Sequence, residues 1–227
     1  MTYDPPVLQK SPTQTATDGR AAPAWAVVLC LVAAVGFGVL VWEDGLKDRV
    51  TYKNLGEVEP GLWRSGQISE FAIGPALRSI RPTLIVSLSE DNPLNADNMA
   101  EKGAAETLGI RRVHVQLSGD GTGDPEEYVK ALAAVIEEHE RGGVVLVHCS
   151  AGSERTSGVA ALYRTLYQGR PAAEAVREMP EYKHDLEEGV LVDYLNENVA
   201  HIAQRLASGE YGVIDRVPDP LPRFERP

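Results

Sequence analysis

Cysteine is scarce in this chain: Cys30 and Cys149 are the only two among 227 residues. They form no C-x-x-C pair and are too few for a disulfide framework or a thiolate zinc site. Basic residues are also in the minority, with 22 Lys and Arg against 33 Asp and Glu and a net charge of −11. A general nucleic-acid binder needs a basic face for phosphate, so no nucleic-acid partner is expected. Aromatic residues make up only 6% of the chain, but 43% of it is hydrophobic and 24% charged. That balance builds a packed core and excludes a disordered acidic polymer. No internal repeat is present. At roughly 100–200 residues per domain, the length fits one domain, or one domain and a tail.

Charge is missing altogether from the 22 residues between Arg20 and Glu43, AAPAWAVVLCLVAAVGFGVLVW. As a helix rising ~1.5 Å per residue this run spans roughly 33 Å, against ~30 Å of bilayer hydrocarbon. Trp25 and Trp42 stand near its ends, where indoles favour the membrane interface. A buried core helix of this length would carry polar interruptions. A cleaved signal peptide has a shorter apolar region before a small-residue site, whereas this run exits into Val-Trp-Glu-Asp. The reading adopted is a single-pass transmembrane helix over 21–42, with the lipid bilayer as its partner. Lys10 and Arg20 precede it and Lys47, Arg49 and Lys53 follow, a near tie that assigns no orientation. Residues 1–20 read as a disordered tail, 43–53 as a linker, 54–210 as one folded domain, and 211–227 as an extended Pro-rich tail. Lys10 and Arg20 balance Asp4 and Asp18, so the whole −11 belongs to residues 43–227.

The folded domain alternates strand and helix patterns. Val58 to Arg64 predicts a hairpin about Pro60-Gly61, and Ser69 to Ile80 a short helix kinked or interrupted at Gly74-Pro75. Strands are expected at 83–88, 112–117 and 144–148, and helices at 95–108, 125–141, 155–168, 171–178 and 187–206. Asn95 to Leu108 is closed by Gly109, a C-cap residue. The run Val144-Val-Leu-Val-His is apolar throughout, as in a strand buried on both faces. Together these patterns predict an α/β fold in three layers, a mostly parallel sheet between helices. Ligands of such sheets bind beyond the carboxyl ends of the strands.

The most apolar strand runs into His148-Cys-Ser-Ala-Gly-Ser-Glu-Arg155-Thr156 and then a helix. A short loop in this position can curl its N–H groups inward, at a positive helix end, to hold a phosphate-like dianion. Gly152 permits the positive φ that the curl needs. Arg155 can fork two donors onto phosphate oxygens. A free thiol is only a few per cent ionised at pH 7, and electropositive surroundings raise that fraction. One geometry can therefore bind a phosphate and activate Cys149 to attack it. A lone cysteine at a strand end is more often a small buried residue; the joint spacing of His, Cys, Gly, Arg and Thr argues for chemistry.

HCSAGSERT resembles the His-Cys-x5-Arg-Ser/Thr signature loop of the cysteine-dependent protein tyrosine and dual-specificity phosphatases. Gly61-Leu-Trp-Arg-Ser-Gly-Gln67 and Val159 to Met179 are similar to stretches of its small bacterial dual-specificity-like branch. The resemblance covers roughly residues 55–205. It implies a protein tyrosine phosphatase-like fold and phosphomonoester hydrolysis through a phosphocysteine, with no cofactor and no metal. Carried over, Cys149 is the nucleophile and Arg155 the phosphate clamp. Thr156 hydrogen-bonds the sulfur and helps it leave, and His148 organises the loop. Ser150, Ala151, Gly152, Ser153 and Glu154 contribute backbone N–H groups. Arg155-Thr156-Ser157 departs mildly from the family's frequent Arg-Thr-Gly.

The family takes its general acid from an aspartate in the preceding strand-to-helix loop, here Leu117-Ser-Gly-Asp120-Gly-Thr-Gly-Asp124-Pro125-Glu-Glu127. Asp124 precedes a proline and has Glu127 three residues on, the pattern of an N-cap with capping-box character. Asp120 sits free among glycines that let the loop close, and is the favoured acid; Asp124 is the alternative. The same loop lacks the last glycine of a dinucleotide fingerprint and the twelfth-position Glu of a calcium loop. His114, His139, His184 and His201 show no metal-ligand spacing and read as structural or surface residues. Arg64 and Gln67 are candidates for the cleft or for the scaffold.

The signature loop carries no lysine and contains Glu154, in an acidic domain. This disfavours polyanionic inositol ligands and favours a phosphorylated protein or another monophosphate ester. A lipid or small-metabolite phosphatase of the same superfamily is the alternative enzyme. From another class, the alternative is a catalytically silent, membrane-tethered phospho-ligand-binding domain.

Overall fold

A computed structural model describes residues 24–41, 52–187 and 189–225. The chain divides into two compact units, 1–44 and 45–227. In the first, helix α1 (Ala24–Val41) takes up 18 residues of the uncharged run, about 27 Å at ~1.5 Å per residue. Trp25, Leu29, Val32, Val35 and Phe37 are exposed on it. Among the described residues no helix is long and apolar enough to cross a membrane. The ends of the expected span, 21–23 and Trp42, lie outside the described residues, as do the expected tail 1–20 and most of the expected linker.

The second unit opens with the expected hairpin, β1 (Gly56–Glu59) and β2 (Leu62–Gly66), paired antiparallel about Pro60-Gly61. Gly61 takes φ +87 at the turn, where a side chain would be strained. Helix α2 spans Ile73–Ile80, shorter than the pattern from Ser69. Gly74 and Pro75 therefore fall in its first turn, where Pro75 needs no donor, and nothing is kinked. Next come β3 (Leu84–Ser87), α3 (Ala96–Leu108), β4 (Arg111–His114), α4 (Pro125–Glu140) and β5 (Val145–Cys149). Asn95 caps α3 by accepting from Asn98 N, and Gly109 closes it at φ 68. Strand β4 ends at His114, three residues before the pattern does, although Val115 N–H still donates to Ser87 O (3.0 Å) and Leu117 N–H to Leu88 O (3.3 Å). Helix α5 (Glu154–Leu162) runs on into a wider π turn at Tyr163–Tyr167; α6 (Ala172–Glu178) and α7 (Val190–Ala207) follow.

The sheet has the order β1-β2-β5-β3-β4, with all neighbours parallel except the edge strand β1. Strand β5 is central, and all five of its residues are buried. Because side chains alternate across a strand, Val145, Val147 and Cys149 join the core beneath α4, α5 and α7, whereas Leu146 joins the core beneath α2 and α3. Burying such aliphatic side chains contributes about 1.5–3 kcal/mol each, which fixes the register of β5 and with it the position of Cys149. Residues 208–225 carry no helix or strand, as their prolines require, yet they are docked. Asn196 brackets the Phe224 backbone with two 2.8 Å hydrogen bonds, and the Phe224 side chain is in the core.

Candidate active site

Strand β5 delivers Cys149 to its carboxyl end, where the chain must turn into α5. The thiol is buried, and Gly152 N–H points back at Sγ from 3.1 Å. Gly152 takes φ +77, and a Cβ there would stand 2.4 Å from Gly66 N and 2.6 Å from Ser65 C. Both the conformation and the close approach to β2 demand glycine. Ser153 gives α5 no side-chain cap.

The orientation of the loop follows from what holds its carbonyls. Gln67 N–H donates to Ser150 O (3.1 Å), Asn54 Nδ2 to Ala151 O (2.9 Å) and Arg64 Nη2 to Gly152 O (3.0 Å). In a trans peptide the C=O of one residue and the N–H of the next point in opposite directions. Three consecutive carbonyls drawn towards β2 therefore turn the N–H groups of Ala151, Gly152 and Ser153 the other way. Those groups form an anion-binding nest around Cys149. Arg64 is only 1% exposed, also donates to Ser157 Oγ (2.8 Å), and stacks on the Tyr182 ring 3.6 Å from its centroid. Burial lowers the guanidinium to about 10, with Tyr182 and Glu178 opposing, so it stays charged at neutral pH. Arg64 and Gln67 thus support the loop from outside it, and Ser157 supplies one of Arg64's acceptors.

Arg155 extends from the first turn of α5, its Nη2 donating to Ser150 Oγ (3.1 Å) and its Nη1 to Leu88 O (3.4 Å). Among the described residues its buried Nε has no hydrogen-bond partner, nor does the buried Thr156 hydroxyl. His148 projects to the opposite face of the sheet from Cys149, and its Nε2 lies 2.9 Å from Glu101 Oε2 on α3. Glu101 also accepts from Arg112 through Nε (3.1 Å) and Nη2 (2.8 Å). Burial pushes the Glu101 carboxyl up, but His148 and Arg112 outweigh it and hold the group at about 2. The Glu154 carboxylate is turned onto His184 Nδ1.

Asp124 caps α4, accepting from Glu126 N at 3.0 Å. The reciprocal half of a capping box is missing, because Glu127 instead accepts from Gln116 N (3.2 Å) and pairs with Lys130. Asp120 is exposed and accepts from Thr122 through both N (3.0 Å) and Oγ1 (2.8 Å), which holds its carboxyl below the usual range. Its loop is anchored by Tyr128, whose hydroxyl donates to Gly121 O (2.5 Å), and by Tyr194 on Gly123 O (3.0 Å). Burial raises Tyr128 far above its usual range, so the hydroxyl remains a donor. Gly121 lies so near the start of α5 that a Cβ would meet Glu154 C at 3.4 Å. The acid loop thus abuts the loop that follows Cys149.

No family model matches the chain. The dual specificity protein phosphatase TpbA of Pseudomonas aeruginosa strain UCBPP-PA14 is 31% identical over 126 residues, 56% of this chain and 53% of the relative. The chain spans about half the length of the curated relatives it matches. The crystal structure of P. aeruginosa TpbA superposes with a TM-score of 0.55 at 23% identity, covering 69% of this chain and 92% of that one. The catalytic core of the PP-IP phosphatase SIW14 from S. cerevisiae gives 0.53 at 20% identity, covering 69% and 94%. The fold is protein tyrosine phosphatase-like. The likeness at these identities is one of fold.

Several residues that shape the site were not legible as site residues: Asn54, Glu101, Tyr128 and Tyr194. Each is a common residue type, and all but Tyr128, which is close in sequence to Gly121, lie far in sequence from what they hold. The remaining histidines are dispersed: His114 lies on Ser89 O, His139 on Glu59 and His201 on Glu126.

Proposed function

We propose that the domain hydrolyses phosphomonoesters through a phosphocysteine intermediate, with a phosphorylated protein as substrate. The observation that carries this reading is the convergence, at the end of β5, of a buried thiol, a nest of inward N–H groups and the Arg155 guanidinium. The Cys149 thiolate attacks phosphorus, the S–P bond forms, and the ester P–O bond breaks as the leaving oxygen takes a proton from Asp120. Arg155 and the N–H groups of residues 150–154 bind the equatorial oxygens as charge spreads over them. A water then attacks phosphorus while Asp120 takes back a proton. The S–P bond breaks, inorganic phosphate leaves, and the Thr156 hydroxyl donates to the departing sulfur. His148, held by Glu101, orients the strand end that carries the thiol.

Both carboxylates are engaged, Asp120 by Thr122 and Asp124 by Glu126 N–H, so Asp120 is not free as its glycine neighbours suggested. It is assigned the acid because the adjacent Gly121 abuts the start of α5, whereas Asp124 caps α4. Glu154, paired with His184, and the acidic domain disfavour polyanionic substrates. The test is turnover of para-nitrophenyl phosphate by the full chain, then of phosphopeptides against phosphoinositides. Activity lost in Cys149→Ser supports the reading, and a wild-type chain inert from about pH 5 to 8 overturns it. Faster turnover of phosphoinositides than of phosphopeptides would replace the protein substrate with a lipid.

We further propose that residues 21–42 anchor the chain in a bilayer as a single pass. Support comes from the 22 uncharged residues and from the exposed apolar side chains of α1. Retention of the chain in carbonate-washed membranes, lost on deleting 21–42, is the expected result. Release of the wild type by carbonate would contradict it.

A further inference from the structure

We propose that Asn54 is a positioning residue for the cradle: it sets the Ala151–Gly152 peptide so that Gly152 N–H faces the Cys149 sulfur. This deepens the phosphocysteine reading and rests on it. Ala151 is exposed, and Gly152 sits at φ +77, a conformation from which glycine departs at little cost. The loop by itself does not choose which way this peptide points, and water can accept or donate on either side. Asn54 makes the choice. Its Nδ2 donates to Ala151 O at 2.9 Å and to Tyr182 O at 3.2 Å, so both amide hydrogens are used. With the Ala151 carbonyl held outward, Gly152 N–H is turned inward to its 3.1 Å contact with Sγ.

The placement is built into the fold. Gly66 N–H donates to Lys53 O at 2.6 Å, which lays the segment before β1 alongside the end of β2. Asn54 itself takes φ 47, a left-handed conformation that asparagine tolerates better than most residues. The neighbouring carbonyls of Ser150 and Gly152 have donors of their own, in Gln67 N–H and Arg64. Asn54 is the donor on the peptide between them, and that peptide carries the N–H directed at the nucleophile. An N–H aimed at sulfur favours the thiolate over the thiol and later binds a phosphoryl oxygen.

The charged and titratable groups around Cys149 are Arg64 on β2, Tyr128 on α4, Glu154 and Arg155 on α5, Asp120 in the acid loop, and His148 with Glu101 across the sheet. Asn54 Nδ2 bonds none of these side chains, but it also holds Tyr182 O, whose ring stacks on Arg64, so a changed thiol reactivity reports the peptide where the thermal melt stays that of the wild type.

Two variants separate the donor from the backbone. Asn54→Gly keeps the conformation with no side chain and no added charge, so it decides; Asn54→Asp keeps the size and left-handed tolerance but cannot donate, and adds a negative charge that acts in the same direction. The readout on the full-length chain is iodoacetamide alkylation of Cys149 against pH, followed by peptide mass spectrometry that resolves it from Cys30. It is paired with orthovanadate affinity and a thermal melt. In both variants the alkylation midpoint is expected to move up by about one pH unit, and vanadate to bind about tenfold more weakly. If Asn54→Asp fails to fold, the Asn54→Gly result decides. Alkylation profiles and vanadate affinities like the wild type would overturn the role of Asn54. A wild-type Cys149 that is unreactive at neutral pH and binds no vanadate would overturn the phosphocysteine reading itself.

Discussion

Arg64 Nη2 donates to Gly152 O at 3.0 Å, from a guanidinium that is shut away from solvent and reaches the loop from the neighbouring strand. Arg64 therefore shapes the loop from behind, through a carbonyl, on the side away from its inward N–H groups. Arg64→Met removes the donor and leaves Gly152 O and Ser157 Oγ without it in a buried place. A loss of about 2–4 kcal/mol is expected from denaturant unfolding. Arg64→Lys keeps the charge but not the fork, and should recover part of the stability with weaker vanadate binding. Equal stability of Arg64→Met and wild type would show that the contact does not hold the loop.

Gly152→Ala tests the same loop from the inside. Its Cβ would press on the Gly66 amide and Ser65 carbonyl at 2.4–2.8 Å, at a φ where alanine is strained. Neither neighbour can yield without parting β2 from β5. A fall in kcat of at least 10² is expected, with weaker phosphate binding; near-normal turnover would mean that the loop is looser than it looks.

Asp120 carries a prediction about pH. Thr122 holds its carboxyl low, through its N–H first and its hydroxyl second. A general acid must keep its proton, so the upper limb of kcat/KM reports this carboxyl in the free enzyme. Thr122→Val removes one of the two donors, the carboxyl rises towards its ordinary value, and that limb should move to higher pH for aryl phosphates with poor leaving groups. Asp120→Ala should slow those esters far more than good leaving groups. An unmoved limb together with equal losses on both esters would assign the acid elsewhere.

Glu101 predicts an acid sensitivity of the fold. Its carboxyl is lower in the folded chain than an unfolded glutamate, so its contribution is present above about pH 4.5 and is lost as pH falls towards about 2. Glu101→Gln should cost about 3 kcal/mol near pH 7 and flatten stability against pH across that window. A stability curve for Glu101→Gln that falls below pH 4.5 as steeply as the wild type would remove Glu101 from this role.

What could be read in the sequence follows from locality. The turn after β5 lies within nine consecutive residues, so its spacing was visible along with the apolar strand that precedes it. Asp124 announced itself as a cap because capping chemistry is also local. The outer contacts were hidden because the sheet order, with β5 inserted between β2 and β3, brings together residues that the chain keeps apart. Asn54 meets Ala151 and Glu101 meets His148 only through that crossover. The helix boundary at Ile73 has a local cause, since Pro75 has no N–H to donate to Phe71 O. The missing half of the capping box at Glu127 does not: there a tertiary partner outcompetes the local pattern, as Gln116 N takes the Glu127 carboxylate.

The most direct test of the central claim is rapid quenching of the full-length chain with an aryl phosphate, followed by mapping of bound phosphate on its peptides. Phosphate on the peptide carrying Cys149, building up further in Thr156→Ala as breakdown slows and absent in Cys149→Ser, is the predicted result. Turnover without phosphate on Cys149 in either wild type or Thr156→Ala, or turnover that survives Cys149→Ser, would contradict it.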